Sequence, residues 1–134
     1  MLRLKLTILL ILTFSLLKAP NVVTGYIATE EGINPYKVII NAIGAVESNF
    51  DTLAYNPKEE ATGFFQCRPI RLKDYNQRTG ESLTLEDMYN YPKAERVFLH
   101  YATQFRHDDY KAISIDWNKS RTLKYWKKVQ KHLK

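Results

Sequence analysis

The spacing of the apolar residues constrains the fold of this chain more than any other feature of the sequence. Between residues 92 and 105, apolar side chains recur at intervals of three and four, which is the period of a helix with one buried face. They are Ala94, Val97, Phe98, Tyr101, Ala102 and Phe105. Residues 36–49 repeat the pattern with Val38, Ile39, Ala42, Ile43 and Val46. Beyond a small hairpin expected within residues 53–65, strand-like alternation is lacking, so the sequence predicts a mainly α-helical fold.

Turn-forming and capping residues divide the rest of the chain into short helices. Asn34 is a candidate N-cap, and Pro35 suits the first turn of the helix that follows it. Further helices are expected at residues 69–76, 84–89 and 108–115. A terminal helix is expected to start at Ser120 or Thr122. Its predicted inner face is formed by Leu123, Trp126, Val129 and Leu133.

The length of 134 residues suits one domain preceded by a short targeting segment. In residues 1–18, Arg3 and Lys5 precede an apolar run that extends from position 6 to position 17. This run is shorter than the roughly 20 residues of a membrane-spanning helix and fits a secretory signal. An uncleaved membrane anchor is the alternative, because the following Lys-Ala-Pro is a poor cleavage site. Both predict export to the periplasm or cell envelope, with residues 19–134 as the folded domain.

The net charge of +6 is spread unevenly along the chain. Residues 19–110 hold nine basic against thirteen acidic side chains, whereas residues 111–134 hold eight basic side chains against Asp116 alone. A basic terminal helix could bind teichoic acid or lipid headgroups, or could be a solvated helix face. The predicted export and the acidic body of the chain disfavour nucleic acid as a partner.

The cysteine and histidine residues exclude a disulfide and disfavour a metal site. Cys67 is the single cysteine, so an intramolecular disulfide cannot form. His100, His107 and His132 are scattered, without cysteine or carboxylate partners at ligand spacing. No bound metal is therefore predicted.

Glu47 is the residue whose position suggests chemistry. It follows the apolar stripe of the first helix at its C-terminal end, where the helix dipole does not favour a negative charge. Partial burial there would raise the pKa of its carboxyl group. A polar loop follows, and then aromatic and glutamine side chains that could line a cleft for a sugar. Cleavage of a glycosidic bond requires a carboxylic acid that stays protonated near neutral pH.

Four short motifs follow one another within residues 34–130. Residues 45–50 read Ala-Val-Glu-Ser-Asn-Phe, and residues 61–66 read Ala-Thr-Gly-Phe-Phe-Gln. Residues 91–95 read Tyr-Pro-Lys-Ala-Glu and open a long helix, while Trp117 and Asn118 precede the terminal helix. In order and spacing they resemble the Glu-Ser, Gly-Leu-Met-Gln, third and closing Tyr-Asn motifs of the soluble-type lytic transglycosylases. That family is related to goose-type lysozyme.

The resemblance implies a lysozyme-like helical domain and assigns roles to particular residues. Glu47 becomes the sole catalytic acid, and Ser48 positions either this acid or the acetamido group of the sugar. Gln66 hydrogen-bonds the sugar near the scissile bond, and Gly63 lets the backbone approach closely. Phe65 forms a wall of the cleft.

The closing motif departs from the family pattern. Trp117 and Asn118 fall at the Tyr-Asn site beside the acid, and Tyr101 either faces the cleft or packs in the core. Because tryptophan has no phenolic hydroxyl, a hydrogen bond to the acid or the sugar is expected to be lost. Residues 119–121 read Lys-Ser-Arg without the usual glycine, which would open or narrow one end of the cleft.

The reaction implied by the resemblance cleaves the β-1,4 bond between N-acetylmuramic acid and N-acetylglucosamine in peptidoglycan. It needs no metal or cofactor and forms a 1,6-anhydro product. If Asp51, Glu59 or Glu60 reached the cleft, a hydrolytic muramidase would be the alternative. A third interpretation is a catalytically weak glycan-binding component of an envelope-spanning or phage assembly.

Overall fold

The computed structural model describes residues 32–134, so the predicted targeting segment lies outside the described residues. This part of the chain is mainly helical and includes one small antiparallel sheet, which confirms the predicted fold class at that level. None of its helices is both long and apolar enough to cross a bilayer. In chain order the elements are α1 (Lys37–Ser48), β1 (Tyr55–Asn56), β2 (Ala61–Thr62), α2 (Pro69–Thr79), a 3-10 helix (Glu86–Tyr89), α3 (Tyr91–Ala102), α4 (Tyr110–Asn118) and α5 (Lys124–Gln130).

Helix α1 places Glu47 in its last turn, as the apolar stripe predicts. Its buried face includes Ile39, Ala42 and Ile43. Asn34 is not the N-cap that was predicted: Tyr36 holds that position and the helix begins at Lys37. The Asn34 side chain accepts a hydrogen bond from the backbone N–H of Tyr36 at 3.0 Å, in the turn before the helix. Helix α1 ends where the backbone turns left-handed, so the chain leaves the helix directly after the catalytic candidate.

The hairpin predicted between residues 53 and 65 is present as strands β1 and β2. Tyr55 pairs with Thr62 and Asn56 pairs with Ala61. Gly63 follows β2 with φ of 78°, and a Cβ added there would lie 2.0 Å from the carbonyl oxygen of Met88. Only glycine permits this close approach of the turn to the 3-10 helix.

The core is built around a stack of aromatic rings. Phe65 is fully buried, and its ring stacks on Phe98 of α3 with 4.7 Å between centroids and an interplanar angle of 9°. The indole of Trp117 in α4 meets the edge of Phe98 at 5.1 Å. Helix α3 packs on α4, and α5 packs on both α4 and α1. The strongest helical pattern of the sequence therefore forms the centre of the molecule.

Several predicted helix limits and one predicted face differ from the structure. Helix α2 continues to Thr79 because Gly80 supplies the left-handed residue that ends it. Helix α3 stops at Ala102, one turn earlier than predicted. The predicted inner face of the terminal helix is correct in part: Val129 is fully buried, and Trp126 and Leu133 are partly buried against the core. Leu123 is half exposed instead, and Tyr125, which was not predicted on this face, is buried.

Candidate active site

A cleft of about 320 Å³ lies at the C-terminal end of α1. It brings together residues from the end of α1, the turn after β2, the length of α2 and the ends of α3 and α4. Of the predicted site residues, it is lined by Glu47, Gln66, Tyr101, Trp117 and Asn118. It is also lined by charged residues that sequence reasoning did not single out, namely Arg68, Arg71, Asp74, Arg78, Asp116 and Lys119.

Glu47 is the carboxylic acid of this cleft whose environment favours the protonated form. Burial raises the pKa of its carboxyl group above the usual 4.5, and this effect exceeds those that lower it. The opposing effects come from the Tyr125 hydroxyl, the positive charge of Arg68 and the Asn118 side chain, in that order. A raised pKa suits a general acid that must donate a proton near neutral pH.

Tyr125 is the functional candidate that sequence reasoning missed. Its hydroxyl donates a hydrogen bond to Oε1 of Glu47, with 2.6 Å between the oxygens. Because the ring is 8% exposed and faces the Glu47 carboxylate, the pKa of the phenol is raised, first by burial and then by that negative charge. The phenol therefore stays protonated and acts as a donor. The sequence signal that could have identified Tyr125 is its spacing of four residues from Val129, which places both on one helix face.

Trp117 does not bond to the acid, in line with the expectation from its missing hydroxyl. Its indole N–H donates instead to the backbone carbonyl of Phe65 at 3.0 Å, inside the core. The phenolic donor to Glu47 is supplied by α5 rather than by the end of α4. The acid therefore receives a phenolic hydrogen bond although position 117 is tryptophan.

Gln66 lines the cleft with its side chain held in place by the hairpin. Its amide nitrogen donates to the backbone carbonyl of Ala54 at 3.2 Å and to that of Gly63 at 3.0 Å. Since both amide hydrogens are used in these bonds, the group left to bind a ligand is the side-chain oxygen. Gln66 is thus suited to accept a hydrogen bond from a hydroxyl or amide of a sugar.

Two arginines of the α2 segment fix the end of α4 beside the acid. Arg71 lies over the ring of Tyr101 at 4.2 Å and over that of Trp117 at 5.2 Å. Its guanidinium donates to the carbonyl of Trp117 at 3.0 Å, to the carbonyl of Asp116, and to the Asp116 carboxylate at 3.5 Å. Arg68 donates to the carbonyl of Asn118 at 3.2 Å. These bonds hold the last turn of α4 in place.

Tyr101 was predicted either to face the cleft or to pack in the core, and it does both. Its ring is almost fully buried, while its hydroxyl lies 2.8 Å from a carboxylate oxygen of Asp74. Tyr101, followed by Arg78, lowers the pKa of Asp74. Asp74 is therefore ionised at neutral pH.

Three predicted site residues do not line the cleft. Ser48 donates to the carbonyl of Phe64 at 2.8 Å and thereby ties the end of α1 to the turn after β2. Gly63 lies against the 3-10 helix, and Phe65 is fully buried in the aromatic stack. These three residues therefore stabilise the elements that carry the cleft and do not form its surface.

The acidic residues considered as partners for a hydrolytic reaction also lie outside the cleft. Asp51, Glu59 and Glu60 are exposed, and Glu59 forms an ion pair with Arg68 at 3.2 Å. Within residues 32–134, no group of three or more His, Cys, Asp or Glu side chains is arranged to hold a metal ion. No family model matches the chain, and no curated protein or solved structure gives a significant match.

Proposed function

We propose that this protein is a peptidoglycan lytic transglycosylase with a lysozyme-like fold and with Glu47 as its catalytic acid. The observation that carries the proposal is a partly buried carboxylic acid with a raised pKa, which receives a hydrogen bond from Tyr125 inside a cleft. The cleft combines aromatic rings with the side-chain amides of Gln66 and Asn118. Sugars present both apolar ring faces and many hydroxyls, so this mixture suits a glycan.

In the proposed reaction, Glu47 protonates the oxygen of the bond between N-acetylmuramic acid and N-acetylglucosamine. The C1–O bond breaks, and the acetamido oxygen of the muramyl residue stabilises the cationic carbon. Glu47, now a carboxylate, removes the proton from the muramyl C6 hydroxyl, whose oxygen bonds to C1. The products are a 1,6-anhydro-muramyl end and a free N-acetylglucosamine end, and no water is consumed.

Tyr125 supports both halves of this cycle. Its hydrogen bond to Oε1 aims the carboxyl group and stabilises the carboxylate that forms after proton donation. The positive charge of Arg68 acts in the same direction. Burial opposes both by favouring the acid, so the carboxyl group can exchange its proton in either direction.

A hydrolytic muramidase is the alternative outcome for the same cleft. Asp74 and Asp116 line it together with Glu47, and each is held by an ion pair, Asp74 to Arg78 and Asp116 to Arg71. Either carboxylate would be the group to examine if water proved to be the acceptor.

The proposed setting is the periplasm or cell envelope, with peptidoglycan strands as the partner. It rests on the predicted targeting segment at residues 1–18. Fractionation of cells that produce the full chain should recover it outside the cytosol. Removal of residues 1–18 should leave it inside, and export of the truncated chain would contradict this assignment.

The reaction is tested by incubating the full chain with purified peptidoglycan sacculi and reading the soluble products by mass spectrometry. Glu47→Gln is the test variant, and Glu86→Gln, which removes an exposed acid that forms no ion pair within residues 32–134, is its control. We expect muropeptides one water lighter than hydrolytic products from the wild type and the control, and none from Glu47→Gln. Hydrated products would favour the muramidase. Glycan binding without turnover by the folded wild type would favour a non-catalytic component.

A further inference from the structure

Helix α5 and its C-cap residue carry four lysines on one face, here called the lysine stripe. They are Lys124, Lys127, Lys128 and Lys131, which are spaced as i, i+3, i+4 and i+7, and all four are exposed. This spacing places them along one side of a helix over a length of about 10 Å. The opposite face is fixed to the protein by Tyr125 and Val129, so the stripe points away from the core.

The stripe lacks acidic neighbours along the chain. Residues 119–134 include seven lysine and arginine residues and no aspartate or glutamate. Of these seven, only Lys119 takes part in an ion pair within residues 32–134, and its partner is Asp116. Like charges at i, i+3 and i, i+4 repel one another and destabilise the helix. A surface that serves solubility alone mixes both signs of charge.

The stripe consists of lysine rather than arginine, which favours a partner whose negative charge is spread over a surface. Lysine has a compact, strongly hydrated ammonium group, which attracts a surface of negative charge without the two-pronged geometry that arginine offers to a single phosphate. The stripe itself holds no aromatic residue on which a nucleic-acid base could stack. Leu123 lies at the start of the helix and is 49% exposed, which adds an apolar group suited to the headgroup boundary of a bilayer.

We propose that the lysine stripe docks this protein on an anionic lipid bilayer. Clusters of four to eight basic residues on a helix face bind acidic lipid headgroups through their summed charge. Because α5 also carries Tyr125 on its inner face, docking of the stripe places the Glu47 cleft about one helix diameter, roughly 10 Å, above the headgroups. This surface is independent of the reaction proposed for the cleft.

The test measures partitioning of the full chain onto vesicles of phosphatidylcholine alone and of phosphatidylcholine with about 30% phosphatidylglycerol. In the stripe variant, all four lysines are replaced by glutamine. The control variant replaces Lys37, Lys58, Lys73 and Lys111 by glutamine; these are exposed, form no ion pair within residues 32–134, and remove the same charge. Circular dichroism establishes that all three proteins are folded. Residues 1–18 are common to all three, and neutral vesicles report their contribution.

We expect the wild type to prefer the anionic vesicles. Each lysine near the surface contributes about fivefold, so the stripe variant should bind them roughly 30-fold weaker if two lysines reach the headgroups, and up to about 800-fold weaker if all four do. The control should change by about fivefold or less. Raising the salt from about 0.05 to about 0.5 M should release the wild type, because the Debye length shortens.

Three outcomes would overturn the proposal. They are an equal loss of binding in both variants, an absence of preference for anionic over neutral vesicles, and displacement of the bound wild type by soluble poly(glycerol phosphate) at a lower phosphate concentration than that of the vesicles. The last result would assign the stripe to a linear phosphate polymer instead.

Discussion

Replacement of Tyr125 by phenylalanine should destabilise the protein more at alkaline than at acidic pH. The lost hydroxyl donates to Oε1 of Glu47 across 2.6 Å in a partly buried site. A hydrogen bond to an ionised group stabilises a protein by about 1.5–3 kcal/mol, and one between neutral groups by about 0.5–1.5 kcal/mol. Glu47 is ionised well above its raised pKa and neutral below it. We therefore expect a loss of about 2 kcal/mol near pH 8 and about 1 kcal/mol near pH 4.

The sign follows from proton linkage. The hydroxyl favours the carboxylate, so its removal raises the pKa of Glu47 in the folded protein further above the value in the unfolded chain. A group with a raised folded pKa gives its full stability below the unfolded pKa, and this stability is lost as the pH rises through the folded pKa. The stability of the variant must therefore fall more steeply with pH than that of the wild type.

The assay is urea unfolding at a series of pH values, followed by tryptophan fluorescence. Tyr75→Phe is a matched control, because the Tyr75 ring is buried and its hydroxyl donates to Glu81 at 2.9 Å, but Glu81 also pairs with Arg96. The control should show a weaker pH dependence. A loss from Tyr125→Phe that is equal at both pH values, or larger near pH 4, would refute the assignment of Glu47 as the proton-exchanging acid of the cleft.

Three further predictions concern Glu47, the guanidinium of Arg71 and the glycine turn at Gly63. Glu47→Gln should gain stability relative to the wild type as the pH rises through the raised pKa, because an amide cannot ionise, and parallel pH profiles would contradict this. Arg71→Met should lower the free energy of urea unfolding by about 2–3 kcal/mol and reduce cleavage of sacculi, because the hydrogen bonds from Arg71 to the end of α4 are lost. An unchanged free energy of unfolding would show that the end of α4 does not depend on Arg71. Gly63→Ala should lower the free energy of unfolding by about 3 kcal/mol or more, because the new Cβ meets the backbone of Met88. Gly80→Ala is the control, since Gly80 has a similar φ of 75° but lies in open space, and it should lower the free energy of unfolding by about 1 kcal/mol. Equal losses in the two variants would rule out the clash.

The helices and the position of Glu47 were predictable because they depend on local spacing. The apolar period of residues 36–49 places a buried face on α1 and leaves Glu47 at its end, and that is what the structure has. Helix limits were less predictable, since a single left-handed residue such as Gly80 decides where a helix stops. The complete burial of Phe65 was also not predictable, because an apolar residue after a turn can form either the wall of a cleft or part of the core.

The sequence by itself determined the mainly helical class, the hairpin and the acid at the end of α1, because each depends on residues within about one element of each other. Only the tertiary structure decided what surrounds that acid. Tyr125 lies 78 positions from Glu47 along the chain, and two rotations of its helix are compatible with the apolar pattern. The packing of α5 on α1 and α4 selects the rotation that buries the phenol against the carboxylate and turns the lysines outward. Helical periodicity fixes which residues share a face, but only the neighbours in space decide which face is buried.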